Sequence, residues 1–177
     1  MSIDNLKASI PDYAKDIRLN LSSIARDETM GAAQLWGCLL ASAIATRNAV
    51  LAREMGTEAA THMTAEEMNA AKTAAALMSM NNIYYRATHL MSARDYAALP
   101  ARLRMNAMAN PGVPKQDFEL WSLAVSAVNG CGMCLDAHEA ELRKHGVSNA
   151  VIQTALRAAA IVHATATVLD GETALAA

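Results

Sequence analysis

The chain has 177 residues, a length typical of one domain that buries a hydrophobic core without disulfide staples. Fifteen basic and seventeen acidic residues leave a formal charge of −2, which argues against nucleic acid or an anionic membrane surface as a partner. The longest uncharged apolar stretch, Leu35 to Ala45, is shorter than the ~20 residues of a membrane-spanning helix, and the first residues lack a signal-peptide pattern, so we expect a cytoplasmic protein.

Helices are predicted along almost the whole chain, because apolar residues recur every three or four positions between the glycines and prolines. The composition agrees, since alanine and methionine are abundant and aromatic residues make up only 4%. The sequence therefore predicts an all-α fold. In chain order, the predicted helices are one after Pro11 with Leu21 and Ile24 on its apolar face, one around Leu35 to Ala43, one from a Thr64–Glu67 capping box to about Met80, one from about Gln116 to Val128, one that stops at Gly146, and one capped by Ser148.

An internal repeat is indicated by the positions of both tryptophans. A shift of 85 positions places Gln34-Leu35-Trp36 over Glu119-Leu120-Trp121, and a shift of 84 places the cap Thr64 over Ser148. We therefore expect a single all-helical domain over residues 1–177, built from two similar units at about 34–80 and 119–164.

Ionisable chemistry is concentrated in the second of these units. A scaffold that two units share does not require such side chains, so their presence in one unit favours a function. At the 85-position shift, Cys131 lies over Thr46, Cys134 over Ala49, His138 over Arg53, and Glu119 over Gln34.

The pair Cys131 and Cys134 lies where a helix is predicted to begin, directly after Gly130. Free amides and the helix dipole stabilise an anion there, which lowers the pKa of a thiol and makes the nucleophilic thiolate available near neutral pH. Residues three apart on a helix have Cβ atoms about 5 to 6 Å apart, close to the ~3.5 to 4.5 Å of a disulfide. The pair is therefore expected to open and close reversibly.

A histidine and a carboxylate complete the predicted site. His138 lies four residues beyond Cys134 and so shares its helix face. Glu119 lies on the preceding, largely apolar helix, where a buried carboxylate needs a partner. A relay from Glu119 through His138 to a cysteine would orient the imidazole and carry protons to and from sulfur.

Other interpretations of the motif remain open at this point. The two cysteines could be structural, or could bind zinc together with His138 and Glu119, although structural zinc sites usually have more sulfur ligands. Haem attachment is excluded because leucine follows Cys134, and the helical pattern lacks the strands of a thioredoxin fold. Cys38 and the other four histidines are expected to be ordinary core or surface residues, and the methionines to fill the core.

The spacing from Glu119 through Cys131-x-x-Cys134 to His138 resembles the signature of the alkyl hydroperoxide reductase D (AhpD) family. The resemblance extends over nearly the whole chain, and it implies an all-helical fold related to carboxymuconolactone decarboxylases. Further matching segments are Ile10-Pro11-Asp12-Tyr13-Ala14-Lys15-Asp16, Asn20-Leu21-Ser22-Ser23-Ile24, Gln34-Leu35-Trp36-Gly37, Met80-Asn81-Asn82 and Arg104-Met105-Asn106.

The resemblance also implies a function in peroxide defence. In such proteins the dithiol reduces an AhpC-type peroxiredoxin and is re-reduced by dihydrolipoamide groups of a lipoyl-bearing acyltransferase, served by dihydrolipoamide dehydrogenase. Weak direct activity toward organic hydroperoxides and assembly as a homotrimer are implied as well, with no bound cofactor or metal. A small-molecule decarboxylase on the same scaffold and a zinc-stabilised interaction module are the alternatives.

The two cysteines receive different roles by resemblance. Cys134 would be the more buried thiol, activated through His138 and Glu119, and Cys131 the more exposed thiol that meets the partner disulfide. The chain departs from some relatives at Met133, where they have a histidine. We expect the Glu119–His138 relay to suffice without that second proton-handling group.

Overall fold

The computed structural model describes residues 2–176, and within them the regular structure is helical, with no β-strand. The predicted all-α fold is therefore confirmed. The helices are α1 (Ser2–Ala8), a short 3₁₀ turn (Asp12–Ala14), α2 (Lys15–Ile24), α3 (Ala32–Thr46), α4 (Ala49–Ala59), α5 (Ala65–Leu90), α6 (Asp95–Ala98), α7 (Asn106–Ala109), α8 (Lys115–Val128), α9 (Gly132–Lys144) and α10 (Asn149–Leu175).

The core is centred on α3, α8 and α10, which pack against one another, with α5 packed on α3 and α8. Its largest fully buried side chains include Trp121 and Phe118 from α8 and Leu39 from α3. Helix α9 packs on α8 and α5, at one side of this core. Residues on α9 therefore face buried side chains of both neighbouring helices.

Two predicted helix starts are confirmed by their hydrogen bonds. The Thr64 hydroxyl accepts a hydrogen bond from the Glu67 amide at 3.2 Å, and the Glu67 carboxylate accepts one from the Thr64 amide at 2.8 Å. Ser148 caps α10 by accepting from the Val151 amide at 3.4 Å. Satisfied amides at these positions fix where α5 and α10 begin.

The predicted end of α5 near Met80 is wrong, because the helix continues to Leu90. Asn81 and Asn82, which directly follow the predicted end, both lie buried within the helix. The amide of Asn82 finds a partner on α8, so its polarity is satisfied by tertiary contact and does not end the helix.

Helix α10 is long and apolar enough, by length and composition, to cross a membrane. Its residues Ala155, Ala158 and Val162 are fully buried, and the helix packs against α2, α3 and α8. These contacts make α10 a core helix of this domain.

The order of helices is consistent with the predicted repeat, since α3, α4 and α5 recur in similar lengths as α8, α9 and α10. The starts of α3 and α8, and those of α4 and α9, differ by 83 positions, whereas the tryptophans gave a shift of 85. The duplication itself stays a prediction.

Candidate active site

The corner between α8 and α9 places Cys131 at the start of a helix, as predicted. Gly130 has a φ of 67°, a left-handed conformation that costs glycine little because it has no Cβ. The Cys131 amide turns back to donate to the Ser126 carbonyl at 3.0 Å. This bond closes the end of α8 and leaves Cys131 as the N-cap residue of α9.

Cys131 and Cys134 are joined by a disulfide, with their Cα atoms 5.3 Å apart. The Cys134 amide also points at the Cys131 sulfur, at 3.3 Å. An amide donor directed at sulfur stabilises negative charge there, so the helix start favours a thiolate when the disulfide opens.

The expected order of exposure of the two cysteines is wrong in this oxidised state. Cys131 is 0% exposed, and Cys134 is 6% exposed. The reason is the corner itself, because the bond from Cys131 to Ser126 draws the N-cap residue inward against α8. Either sulfur therefore becomes fully accessible only when the corner moves.

Glu119 and His138 form the predicted pair. The His138 Nδ1 atom lies 2.6 Å from a Glu119 carboxylate oxygen, and both side chains are buried. The contact joins α8 to α9 and fixes the imidazole ring through one nitrogen, which leaves Nε2 for other chemistry. The carboxylate and histidine that sequence spacing selected are thus brought together.

The other imidazole nitrogen meets Met78 of α5, which the sequence had suggested was core filling. Nε2 lies 3.2 Å from the Met78 sulfur, and no cysteine sulfur is a hydrogen-bond partner of His138 among residues 2–176. The Glu119 carboxylate is a strong hydrogen-bond acceptor for Nδ1, whereas the Met78 thioether is only a weak acceptor beside Nε2. The third member of the predicted relay, a cysteine, is therefore near in sequence but not bonded in the disulfide state.

Lys115 is a second residue that the sequence analysis missed. Its ammonium lies 2.8 Å from the other Glu119 oxygen and donates to the Met108 carbonyl at 2.5 Å. The signal was present, because Lys115 and Glu119 are four residues apart on one helix. Burial alone would raise the pKa of Glu119, but hydrogen bonds from His138 and Lys115 outweigh it and hold that pKa below its ordinary value.

A network of amide side chains ties the corner to α5. Asn82, fully buried, donates to the Ser126 hydroxyl at 2.9 Å and accepts from Asn129 at 3.0 Å. Arg86 of the same helix donates to the Asn129 carbonyl. The residues just before Cys131 are therefore held from one side by a rigid helix.

Met133, which lies between the two cysteines in sequence, is 44% exposed. It lines a surface pocket of about 180 Å³ together with aromatic and aliphatic side chains of α5 and the segment that follows it. The pocket therefore presents a mainly apolar surface next to Met133, the residue that precedes Cys134. The pocket's other lining residues are Tyr84, Tyr85, Thr88, Tyr96, Leu99 and Ala101.

The residues expected to be ordinary have ordinary surroundings. Cys38 is a free, fully buried cysteine, and burial together with the charge of Asp117 raises the pKa of its thiol. His62 stacks on Trp36 with 4.5 Å between ring centroids. Over the described chain, no three side chains of His, Cys, Asp or Glu come together in a way that could hold a metal ion.

Comparison with known proteins gives matches over part and over all of the chain. The model of the carboxymuconolactone decarboxylase family matches residues 94–177. A protein named alkyl hydroperoxide reductase AhpD from Hyphomonas neptunium is 60% identical over 177 residues, covering 100% of this chain and 98% of the relative. Proteins of the same name from a Bradyrhizobium species and from Streptomyces coelicolor are 58% and 54% identical, covering 96% and 100% of this chain and 94% and 99% of the relatives.

Proposed function

We propose, from the premise that the chain belongs to the AhpD family, that its Cys131–Cys134 dithiol reduces the disulfide of an AhpC-type peroxiredoxin and is then reduced by dihydrolipoyl groups. Family membership makes the chain an alkyl hydroperoxide reductase and an antioxidant oxidoreductase. The observation that carries the finer proposal is the disulfide at the start of α9, next to the buried Glu119–His138 pair.

The proposed reaction is a thiol–disulfide exchange in two steps. A thiolate of the reduced pair attacks one sulfur of the peroxiredoxin disulfide, so that a mixed disulfide forms and one peroxiredoxin thiolate leaves. The second cysteine of the pair then attacks the mixed disulfide and releases the other peroxiredoxin thiolate. Two electrons pass to the peroxiredoxin, and the Cys131–Cys134 disulfide remains.

Return to the dithiol follows the same chemistry with a dihydrolipoyl group as the electron donor. One of its thiolates opens the Cys131–Cys134 disulfide, and its second thiolate resolves the mixed disulfide. The lipoyl group leaves as its cyclic disulfide, and both cysteines are again reduced. The lipoyl group acts as a substrate in this scheme and not as a resident cofactor.

Weak direct reduction of an organic hydroperoxide needs no further group. A cysteine thiolate attacks the outer peroxide oxygen, and the O–O bond breaks to give a sulfenic acid and an alkoxide, which takes up a proton and leaves as the alcohol. The second cysteine condenses with the sulfenic acid, which releases water and forms the disulfide. The apolar pocket beside Met133 gives an alkyl chain a surface to contact.

His138 is the proton carrier in these steps. It is one helical turn from Cys134, and its Nε2 contacts the weakly accepting Met78 sulfur in the disulfide state. Opening of the disulfide would give Nε2 a thiol as a stronger partner. Glu119 would then keep the imidazole oriented while a proton passes between sulfur and Nε2.

The environment of the protein is proposed on the same basis. We place it in the cytoplasm as a homotrimer, with a lipoyl-bearing acyltransferase and dihydrolipoamide dehydrogenase as its electron source. Exposed apolar side chains near the end of α5 and just after it, including Ile83, Leu90 and Leu99, support association with other chains. Light scattering of the purified protein tests the trimer.

Decarboxylation on the same scaffold is the second candidate. The family model that matches residues 94–177 is named for it, but this part of the chain contains Cys131 and Cys134. A decarboxylase would keep its activity after both thiols are alkylated, whereas the proposed dithiol enzyme would lose it.

A coupled assay with the peroxiredoxin, lipoamide, dihydrolipoamide dehydrogenase and NADH tests the proposal. Peroxide-dependent oxidation of NADH should be abolished in Cys131→Ser and in Cys134→Ser, because each variant lacks one of the two sulfurs that exchange requires. Cys38→Ser is the matched control, and its rate should equal that of the unmodified chain because Cys38 is buried and free. Electron flow that persists in either single variant would remove the dithiol from the mechanism.

A further inference from the structure

We infer that Lys115 is a positioning residue that allows His138 to give up its proton, because it pairs the Glu119 charge when His138 becomes neutral. The inference rests on the proposed function insofar as His138 is taken to be the proton carrier. It adds a third member, on the opposite side of the carboxylate, to the Glu119–His138 relay.

The geometry assigns one carboxylate oxygen to each partner. His138 Nδ1 lies 2.6 Å from one oxygen of Glu119, and the Lys115 ammonium lies 2.8 Å from the other. The carboxylate itself is almost completely buried, whereas Lys115 is about one third exposed. Lys115 thus connects the buried pair to solvent.

Burial of the carboxylate makes its charge depend on its partners. An ionised carboxylate removed from water is strongly disfavoured unless a cation pairs with it. If His138 were the sole cation, loss of its proton would leave Glu119 charged and unpaired, so the proton would be retained. With Lys115 in place, Glu119 stays paired in both protonation states of His138, and the histidine can cycle between them.

Lys115 also acts directly on the imidazole by charge. A second cation near the same carboxylate repels the imidazolium and competes for the carboxylate charge, and both effects favour the neutral imidazole. The hydrogen bond from Lys115 to the Met108 carbonyl holds the ammonium at this position. The lysine is therefore held beside Glu119 by a hydrogen bond to α7.

Other charged groups lie on the helix that carries His138 and on the helices packed against it. On α9, Cys134 titrates only in the reduced protein, and Glu141 and Lys144 interact with the charge of Glu119 while pairing with each other at 2.9 Å. From α5, the contact with the ring is the uncharged Met78, and Arg86 binds the Asn129 carbonyl. Lys115 is the cation bonded to Glu119 from α8.

The decisive experiment is an NMR titration of His138 in the disulfide form, in which Cys131 and Cys134 do not titrate. The His138 signal, one of five histidine signals, is assigned by its loss in His138→Gln. In Lys115→Met we expect the midpoint of this titration to rise by about one pH unit, because a nearby cation has been removed. Lys115→Arg should leave the midpoint near its original value.

Two further variants separate charge from other effects. Lys115→Gln retains a hydrogen-bond donor without the charge and should shift the midpoint as Lys115→Met does. Lys144→Met removes an exposed lysine whose charge also interacts with Glu119 and should shift it far less. An unchanged midpoint in Lys115→Met, or an equal shift in Lys144→Met, would overturn the inference.

The reduced enzyme provides a second readout. In Lys115→Met, the rise of the exchange rate with pH should move to higher pH by a similar amount, while the maximal rate at high pH stays close to that of the unmodified chain. A purely structural role of Lys115 would lower the rate equally at every pH. The NMR result needs no activity, so it decides the role of Lys115 even if the proposed function fails.

Discussion

The corner between α3 and α4 and the corner between α8 and α9 have a similar backbone construction but different chemistry. Each has a residue with positive φ, Arg47 at 65° and Gly130 at 67°, followed by the N-cap residue of the next helix. In the first corner the cap is Asn48, whose side chain accepts from the amide three residues ahead at 2.7 Å. In the second corner Cys131 takes the cap position, and its sulfur accepts from the Cys134 amide at 3.3 Å.

The comparison shows that the second corner has a disulfide-bonded cysteine at its capping position. Sulfur is a weak acceptor, so a cysteine caps a helix less well than an asparagine does. When the corners are aligned, the shift is 83 positions, and Cys134 and His138 lie over the buried residues Leu51 and Met55. At these aligned positions the first corner has a cap and two core residues, whereas the second corner has two cysteines and a histidine.

The largest expected effect comes from giving the second corner the residues of the first. The double variant Cys131→Asn with Cys134→Leu should lose all dithiol activity, because neither sulfur remains. Its free energy of unfolding should be equal to or above that of the reduced parent chain, since asparagine caps better and leucine buries more apolar surface. Urea denaturation and the coupled peroxide assay measure the two quantities.

Cys38→Ser provides the control for this double variant, because it removes a buried sulfur that lies outside the corner. It should retain activity while losing some stability. Strong destabilisation of Cys131→Asn with Cys134→Leu would contradict the equivalence of the two corners.

Much of the fold was predictable because local signals determine it. The caps at Thr64 and Ser148 follow from a hydroxyl three residues before an unpaired amide, and both are confirmed. The length of α5 was not predictable, because the burial of Asn82 depends on Ser126 and Asn129, which are distant in sequence. Helix propensity depends on a residue and its neighbours along the chain, and it gives no information on hydrogen-bond partners that are distant in sequence.

The site was predictable to the extent that its members share a helix or a family spacing. Cys131 and Cys134 were placed by the start of α9, and His138 by its four-residue step. Met78 was not predictable, because its contact with His138 crosses from α5 to α9 and a methionine has no distinctive pattern. The burial of Cys131 was also missed, since it follows from a turn that the sequence marks only through Gly130.

A smaller effect is expected from removing each cap in turn. Asn48→Ala should lower the free energy of unfolding by about 0.5–2 kcal/mol, since it leaves the Leu51 amide without its side-chain partner. The loss of the bond from Asn48 to Asp170 at 2.7 Å adds to this value. Cys131→Ala, measured in the reduced state, should lower it less, and urea denaturation of both variants makes the comparison.

Asn48→Ser serves as the matched control for the first corner, because its hydroxyl can still accept from the Leu51 amide without placing a second carboxylate beside Asp170. It should recover part of the stability that Asn48→Ala loses. Equal losses for Asn48→Ala and reduced Cys131→Ala would show that sulfur caps as well as an amide oxygen, and would remove the proposed distinction between the corners.

The smallest expected effect is a difference between the corners in their dependence on pH. At the 83-position shift, Glu119 lies over Trp36, which does not titrate, so this position can make stability depend on pH in the second corner but not in the first. The folded protein holds the pKa of Glu119 below its ordinary value of 4.5. The ionised carboxylate therefore stabilises the folded state above about that pH, and this stabilisation is lost as the pH falls toward the lowered pKa of the folded protein. The stability difference between the parent chain and Glu119→Gln should therefore shrink below pH 4.5, in urea denaturation series read from pH 5.5 downward. Burial opposes the effect of the two hydrogen bonds on the pKa of Glu119, so we expect this effect to be the smallest. A stability difference that stays constant across the series would show that the Glu119 charge does not stabilise the corner.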